Sequence, residues 1–277
     1  MNELYKLSAT EHEKILKKIM DEEFKSAKRF DCPKAFIIGG QPGSGKSTFI
    51  NKLINSGEAE QSIVIDVDKY RLYHPKINEI YSKYPDDVAS ITNQDARYWT
   101  QHIFATAIEN RNNIIFEGIM RSNQICHTIK RMYDQGYEVN IYIMATNFYE
   151  SKLDVYSRFA QAIQSGEIPR YTHPEVHDKS YAKMLLTLQQ IENDGCFHNI
   201  SVHTRDKEIY SASILQKDKT DIVKIVSDFR EKLWSKSRFR LFEKKADNLV
   251  KSFKQLNEIR YISQLTDLKR EAKCMMQ

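Results

Sequence analysis

Eight residues near the start of the sequence have the types and spacing needed to hold a chain of phosphates. The segment GQPGSGKS, Gly40 to Ser47, matches G-x-x-x-x-G-K-[ST] at every fixed position. Its glycines let the backbone turn so that consecutive N–H groups point at phosphate oxygens. Lys46 would place a positive charge at the β- and γ-phosphates, and Ser47 would offer a hydroxyl to Mg²⁺. The residues expected to contact ATP are Gly40, Gln41, Pro42, Gly43, Ser44, Gly45, Lys46, Ser47 and Thr48.

The class of nucleotide-binding protein depends on what else the sequence carries. The guanine-reading N-K-x-D segment of GTPases is not matched, since NKLI at 51–54 lacks the aspartate. A small-molecule kinase needs a carboxylate that accepts the proton of the acceptor hydroxyl. Asp66 and Asp68 end a strand-like run, and either could face the site because alternate residues of a strand point to the same side. Helix capping, or support of a Mg²⁺ site without direct contact, is the alternative role for each.

Further charged side chains fall where ligands gather in a parallel sheet. Glu117 ends the next apolar run and would lie at the same carboxyl edge as the aspartates, with Arg121 just beyond it. Arg158 and Arg170 carry guanidinium groups that could clamp the transferring phosphoryl group. A surface ion pair is the alternative for these two arginines.

Short apolar runs alternate with longer stretches of helical periodicity between residues 34 and 212. The predicted strands are 34–40, 62–66, 113–118, 138–146, 199–206 and 207–212. The predicted helices are 10–29, 46–56, 86–111, 122–135, 148–165 and 175–194. Alternation of this kind predicts an α/β fold with a mostly parallel sheet flanked by helices. From residue 217 onward the pattern is helical only, which divides the chain into a kinase-like domain (1–216) and a C-terminal helical extension (217–277).

Charge is distributed unevenly between these two parts. Residues 217–277 carry 16 Lys and Arg against 9 Asp and Glu, whereas residues 1–216 carry 26 against 28. A basic extension could bind nucleic acid or anionic lipid, but its interspersed acidic residues favour a helix packed on the core or on a partner. Because the kinase-like part is not basic, nucleic acid is not the expected partner.

Membrane insertion and export are not indicated by the sequence. It has no apolar run of about 18 residues, the length a membrane span requires. Its first 20 residues are charged and lack the apolar centre of a signal peptide. The four cysteines are far apart and are expected to be reduced thiols, as in a cytoplasmic protein.

The segments AFIIGGQPGSGKS, IVIDVD…HP, IIFEG…R, SRF and PRYTHPEVHD together resemble the zeta toxins of bacterial toxin–antitoxin systems. The resemblance runs in order over about residues 30–212. It implies a nucleoside-kinase-like fold that transfers the γ-phosphate of ATP to a hydroxyl of the amino sugar in UDP-N-acetylglucosamine. The resemblance further implies that the product cannot enter peptidoglycan synthesis and that a small epsilon antitoxin blocks the nucleotide site.

The resemblance also implies roles for individual residues. Lys46 and Ser47 would contact phosphate and Mg²⁺, and the second aspartate, Asp68, would be the general base that touches the substrate. Glu117 would lie near the metal or the sugar, and Arg121 would contact the sugar nucleotide. The residues matching the pair that grips the γ-phosphate are Arg158 and Arg170.

Two positions depart from the family pattern. Gln101 stands where the family has a glutamate that contacts the acceptor sugar, and Ile119 stands where it has a small hydroxyl residue. Gln adds a donor and loses the charge, and Ile cannot hydrogen-bond. The departures predict that the sugar is held differently, with an altered preference among UDP-sugars or an altered target hydroxyl.

Two other readings stay open from the sequence. The chain could be a kinase for another small acceptor, such as a nucleoside or a nucleic-acid end, or a nucleotide-dependent binding protein. Two pairs of residues also have alternative roles. His173 and His177 are four residues apart and could share a metal, although a third ligand is not apparent.

Tyr98 and Trp99 could stack on uracil, but helical spacing favours core packing.

Overall fold

The computed structural model describes residues 2–118, 120, 123–214 and 221–276. Six strands form one sheet in the order β2-β3-β1-β4-β5-β6, in which only β6 runs antiparallel to its neighbour. The strands are β1 (Lys34–Gly39), β2 (Ile63–Ile65), β3 (Ile114–Gly118), β4 (Glu138–Met144), β5 (Asn199–His203) and β6 (Glu208–Ser213). The predicted mostly parallel sheet is confirmed.

Helices cover the sheet on both faces, because strands buried on both sides cannot be left against water. They are α1 (Ala9–Glu23), α2 (Lys46–Asn55), α3 (Val67–Arg71), α4 (Ile77–Lys83), α5 (Val88–Ile91), α6 (Asn93–Glu109), α7 (Gln124–Asp134), α8 (Phe148–Ser165), α9 (Pro174–Asp194), α10 (Ile222–Glu231), α11 (Lys236–Gln255) and α12 (Ile262–Glu271). On β1, Ile37 packs into one core with α1, α6 and α7, and Ile38 packs into another with α2. Alternate residues of one strand therefore serve opposite faces of the sheet.

The segment between β2 and α6 differs most from the predicted elements. The sequence pattern predicts no helix over 67–84, yet α3 and α4 form there. The single helix predicted over 86–111 is divided into α5 and α6 at Thr92, whose hydroxyl donates to the carbonyl of Val88 at 2.7 Å. The Arg71 guanidinium donates to the same hydroxyl at 2.7 Å, so a contact from α3 fixes the junction.

The C-terminal helices share an apolar core with α8. This core contains Tyr156 and Phe159 of α8, together with Phe242 and Phe253 of α11 and Leu265 of α12. The predicted packing of the extension on the rest of the chain is therefore confirmed. The predicted domain boundary at 216/217 lies outside the described residues.

Ion pairs connect basic residues of the extension to acidic residues of the kinase-like region. Arg238 of α11 binds Glu150 of α8 through two nitrogens at 2.9 and 2.7 Å. Arg260 lies 2.5 Å from Asp86, and Lys245 is paired with Asp154. Basic side chains of the extension are thus matched by acidic side chains of the kinase-like region.

Among the residues that the structure describes, no helix has the combination of length and apolar character needed to cross a bilayer.

Candidate active site

The segment Gly40–Ser47 forms a loop that connects the end of β1 directly to the start of α2. Gly43 and Gly45 have φ values of 75° and 96°, in the left-handed region that glycine adopts without strain. A β-carbon on Gly43 would also collide with the carbonyl oxygen of Ser151. The glycines therefore permit both the turn and its close contact with α8, and the loop has the backbone of a phosphate cradle.

Lys46 is folded back into this loop. Its Nζ donates to the carbonyl oxygens of Gly40 and Gln41, both at 3.0 Å, and lies 3.7 Å from the Glu117 carboxylate. Only 5% of Lys46 is exposed, and this burial lowers the pKa of its ammonium group while Glu117 opposes that shift. The lysine therefore lies in the mouth of the cradle, where a phosphate would meet it.

A buried chain of hydrogen bonds supports the loop from beneath. The side chain of Gln41 donates to the Thr146 carbonyl at 2.9 Å and to the Ser151 hydroxyl at 3.2 Å. The same hydroxyl lies 2.8 Å from Nε2 of His177, whose Nδ1 lies 2.9 Å from the Asp178 carboxylate. Burial lowers the pKa of His177 to about 4, although Asp178 opposes the shift. This histidine is therefore neutral near pH 7 and supports the loop.

The two histidines considered as a metal pair have separate partners. His173 is directed to the Asp86 carbonyl at 3.1 Å, while His177 is bonded within the network beneath the loop. In the described part of the chain, no group of three His, Cys, Asp or Glu side chains could hold a metal ion. Mg²⁺ requires fewer protein ligands, because phosphate oxygens and water complete its shell.

Ser47 and Glu117 are suited to such a magnesium site. The Ser47 hydroxyl lies 3.4 Å from Oε2 of Glu117, at the mouth of the cradle. Hydroxyl and carboxylate oxygens are ligands that Mg²⁺ accepts. The two residues predicted to hold the metal are therefore next to each other and fit that role.

The alternation pattern predicts that the two aspartates lie at the end of a strand, but they do not. The strand β2 ends at Ile65, and Asp66 caps α3 by accepting a hydrogen bond from the backbone N–H of Asp68 at 2.9 Å. Burial raises the pKa of the Asp66 carboxyl, with Arg170 opposing the shift. Asp68, in the first turn of the helix, is paired instead with two guanidinium groups, those of Arg71 at 3.2 Å and of Arg170. The two carboxylates therefore have different partners: Asp66 binds the helix backbone, and Asp68 binds arginines.

A cavity of about 280 Å³ opens over the loop. Its lining includes Lys46, Ser47 and Glu117 from the sheet edge and Arg158 from α8. Arg170, from the segment between α8 and α9, and its partner Asp68 are not among the residues that line the cavity, but the charge of Arg170 acts on Lys46 and adds to the effect of burial in lowering the pKa of its ammonium group. The structure therefore brings the predicted phosphate, metal and arginine positions to one sheet edge.

Gln101 is exposed on α6. Its neighbours at three and four residues on this helix are Phe104, whose ring lies 5.7 Å from that of Phe116 in β3, and Arg97, which donates to Gln124 at 3.1 Å. Its exposure leaves Gln101 accessible to a ligand, and its contact with a sugar stays a prediction. The other predicted sugar contacts, Ile119 and Arg121, lie outside the described residues.

The aromatic pair on α6 belongs to the core rather than to a base-stacking surface. Trp99 is fully buried, and its indole N–H donates to the His12 carbonyl at 3.4 Å. Tyr98 is half-buried, with its ring 4.8 Å from that of His12. Core packing, the role that helical spacing favoured, is confirmed for Trp99.

Three charged residues at the cavity were not predicted from the sequence. Asp154 lies four residues before Arg158 on α8 and so on the same side of the helix. This spacing could have identified it from the sequence. Arg205 follows β5 at the carboxyl edge of the sheet and donates to the Gly43 carbonyl at 2.9 Å. Lys245 comes from α11 in the extension, and no local pattern indicates it.

Comparison with known proteins agrees with this geometry. The chain is 26% identical to Toxin zeta of Enterococcus hirae over 212 residues, which cover 76% of this chain and 74% of that one. A solved structure from the PezAT chromosomal toxin–antitoxin system of Streptococcus pneumoniae superposes with a TM-score of 0.75 at 20% identity, covering 89% of this chain and 98% of the other. A structure of the AvrRxo1-ORF1:-ORF2 complex with ATP gives a TM-score of 0.59 at 11% identity, covering 94% and 88%.

The model of one family, described as Zeta toxin, matches residues 17–215. That range contains the phosphate cradle, both aspartates, Glu117, Arg158 and Arg170, and it covers well over half of the chain. On the strength of that match, the chain belongs to the zeta toxin family.

Proposed function

We propose that this chain is a toxin kinase that transfers the γ-phosphate of ATP to a sugar hydroxyl of UDP-N-acetylglucosamine or a related UDP-amino sugar. The observation that carries the proposal is the meeting of Lys46, Ser47, Glu117 and Arg158 in one cavity, with the Asp68–Arg170 pair close enough for Arg170 to act on Lys46. Such a set supplies a phosphate cradle, cations for the transferring group and a carboxylate base. Membership of the zeta toxin family supports the choice of acceptor.

Phosphoryl transfer needs a group that takes up the acceptor proton, and Asp68 has that role in the proposal. One carboxylate oxygen accepts the hydroxyl proton while the sugar oxygen forms a bond to the γ-phosphorus and the bond to the β,γ-bridging oxygen breaks. The products are a sugar phosphate and ADP. Asp66 is less suited, because it caps α3 and burial raises the pKa of its carboxyl.

Cations are placed where negative charge accumulates during this step. Lys46 and Arg158 line the cavity, and Arg170 is held on Asp68. With nucleotide bound, Arg170 would turn from Asp68 to the γ-phosphate and leave the base free for the hydroxyl. Ser47 and Glu117 would hold Mg²⁺, which neutralises phosphate charge when bound.

The proposal includes a partner and a cellular effect. A phosphorylated UDP-amino sugar is expected to block peptidoglycan synthesis, and an epsilon-type antitoxin would neutralise the toxin at the nucleotide site. The PezAT structure comes from a toxin–antitoxin system, and the AvrRxo1 complex also contains two different chains. The site of action would be the cytoplasm, where UDP-sugars and ATP are available.

Mass spectrometry tests the proposal directly. Purified protein is incubated with ATP, Mg²⁺ and a panel of UDP-sugars, with Lys46→Ala as the inactive control. We expect a mass increase of one phosphate on at least one UDP-amino sugar, with wild type only. Transfer to a nucleoside or to a nucleic-acid end instead, or ATP binding without any transfer, would refute the proposed acceptor.

Gln101 offers a test of sugar selection. We expect Gln101→Glu to increase the preference for UDP-N-acetylglucosamine over other UDP-sugars by roughly tenfold, because a charged acceptor replaces an amide at the position where the family has a sugar-contacting glutamate. The measurement is kcat/KM for each sugar of the panel. Gln94→Glu, an equally exposed change at the start of the same helix, is the matched control. Equal changes with both variants would mean that Gln101 does not contact the sugar.

A further inference from the structure

We propose that α11 of the C-terminal extension completes the nucleotide site and that Lys245 binds a phosphate oxygen of the nucleoside triphosphate. The inference rests on the proposed function in one respect, namely that a nucleotide occupies the cavity over the loop. It concerns a residue outside the range that the zeta toxin model matches, 17–215. It gives the basic extension a defined role within its own chain.

Lys245 is held at the cavity by the packing of its helix. The next residue, Ala246, and the residue one turn later, Leu249, are 2% and 6% exposed in the core shared with α8. Lys245 itself lines the cavity together with Gly45, Lys46 and other residues of the loop. The helix therefore fixes the backbone of Lys245, and its flexible side chain reaches the space over the cradle.

Within this cavity, Lys245 takes part in a network that reaches the loop itself. Asp154 of α8 pairs with both Lys245 and Arg205. Arg205 in turn donates to the Gly43 carbonyl at 2.9 Å. A single carboxylate therefore connects the extension to the phosphate cradle and holds the Lys245 ammonium close to it.

The contact between Lys245 and Asp154 is one that a bound phosphate could replace. The side chain of Lys245 is 45% exposed and that of Asp154 is 20% exposed. Ion pairs that solvent reaches are weak, so a polyanion with several charges can displace the carboxylate at little cost. Lys46 and Arg158 line the same cavity, so Lys245 would add a third cation around the phosphates. A triphosphate is the occupant whose charge these cations match.

A nucleotide fits the position of Lys245 better than a nucleic acid does. Other basic residues of the extension are already paired within the chain, as Arg238 is with Glu150 and Lys269 is with Asp247. The cavity that Lys245 lines has the phosphate cradle as its floor. A strand of nucleic acid would instead require a continuous row of unpaired cations along α11.

The test compares ATP affinity between matched variants of the full chain by isothermal titration calorimetry. Lys245→Met keeps the aliphatic stem that packs beside α8 and removes only the ammonium group. Lys244→Met removes the same charge from the adjacent residue, which lines the neighbouring groove between α8 and α11 but not the cavity over the loop. We expect Lys245→Met to weaken ATP binding roughly tenfold, the lower end for a charge-assisted hydrogen bond, and Lys244→Met to change it less than twofold.

Asp154→Asn distinguishes phosphate binding from a supporting role. If Lys245 only neutralises Asp154, removing that charge should abolish the effect of Lys245→Met. If Lys245 binds phosphate, the roughly tenfold loss should persist in the Asp154→Asn background. Equal affinities for wild type and Lys245→Met, or loss of the effect in that background, would overturn the inference.

The proposed function is separated from this inference by Lys46→Ala. ATP binding by wild type that Lys46→Ala abolishes supports the nucleotide site, whatever Lys245 does. Wild type that binds no ATP refutes the nucleotide site, and the inference about Lys245 is refuted with it.

Discussion

Asp68→Asn should lower the turnover of phosphoryl transfer by roughly 10²- to 10⁴-fold, the contribution of a positioned general base. Asn retains the size of the side chain and can still accept a hydrogen bond from Arg71 or Arg170, but it cannot take up the hydroxyl proton. ATP affinity should not fall, because the loop is unchanged and Arg170, no longer paired with a charged Asp68, stays available to the γ-phosphate. The measurements are kcat on the preferred UDP-sugar and Kd for ATP.

Asp66→Asn is the matched control for this prediction. Asn caps a helix about as well as Asp, so the hydrogen bond to the backbone of Asp68 should be preserved. We therefore expect a loss of no more than about tenfold, well below that of Asp68→Asn. A larger loss from Asp66→Asn than from Asp68→Asn would reverse the assignment of the base.

Gly43→Ala should damage both the nucleotide site and the stability of the protein. The new β-carbon would meet the Ser151 carbonyl, and the left-handed conformation at φ 75° would become strained. The loop must shift to relieve the collision, which moves the N–H groups that would bind phosphate. We expect ATP affinity to fall by more than about tenfold, as when a charge-assisted hydrogen bond is lost.

Gly136→Ala is the control that measures backbone strain without the collision expected for Gly43→Ala. Gly136 has a φ of 74°, almost the same as Gly43, but nothing lies within 4 Å of the position its β-carbon would take. Urea denaturation should show a loss of about 1–2 kcal/mol for Gly136→Ala, the cost of left-handed backbone alone. Gly43→Ala should cost more than that. Equal losses of stability, with normal ATP binding in both variants, would show that the loop tolerates the β-carbon.

The sheet and the phosphate cradle were predictable because their signals are local. An apolar run such as that of β1 needs burial on both faces, and the glycine spacing after it allows few backbone paths. The short helices α3 and α4 gave no such signal, since helices of five and seven residues depend on tertiary contacts for their stability. The Arg71 contact that separates α5 from α6 is one of those tertiary contacts.

For the site, the sequence identified residue types more reliably than their surroundings. Lys46, Ser47 and Glu117 were expected at one sheet edge and are found there. The different environments of Asp66 and Asp68 were not predictable by alternation, because the chain leaves the strand one residue before the first of them. Lys245 and Asp154 are 91 residues apart, so their contact exists only in the folded chain.

The core that α8 shares with the extension has a consequence for the timing of synthesis. The ring centroids of Phe159 in α8 and Phe253 in α11 are 6.4 Å apart. The ribosome makes α11 after every strand of the sheet. Until that segment has emerged, α8 lacks the apolar partners that fix Arg158 and Asp154 over the loop. We expect a nascent chain to be catalytically silent while its sheet is already complete.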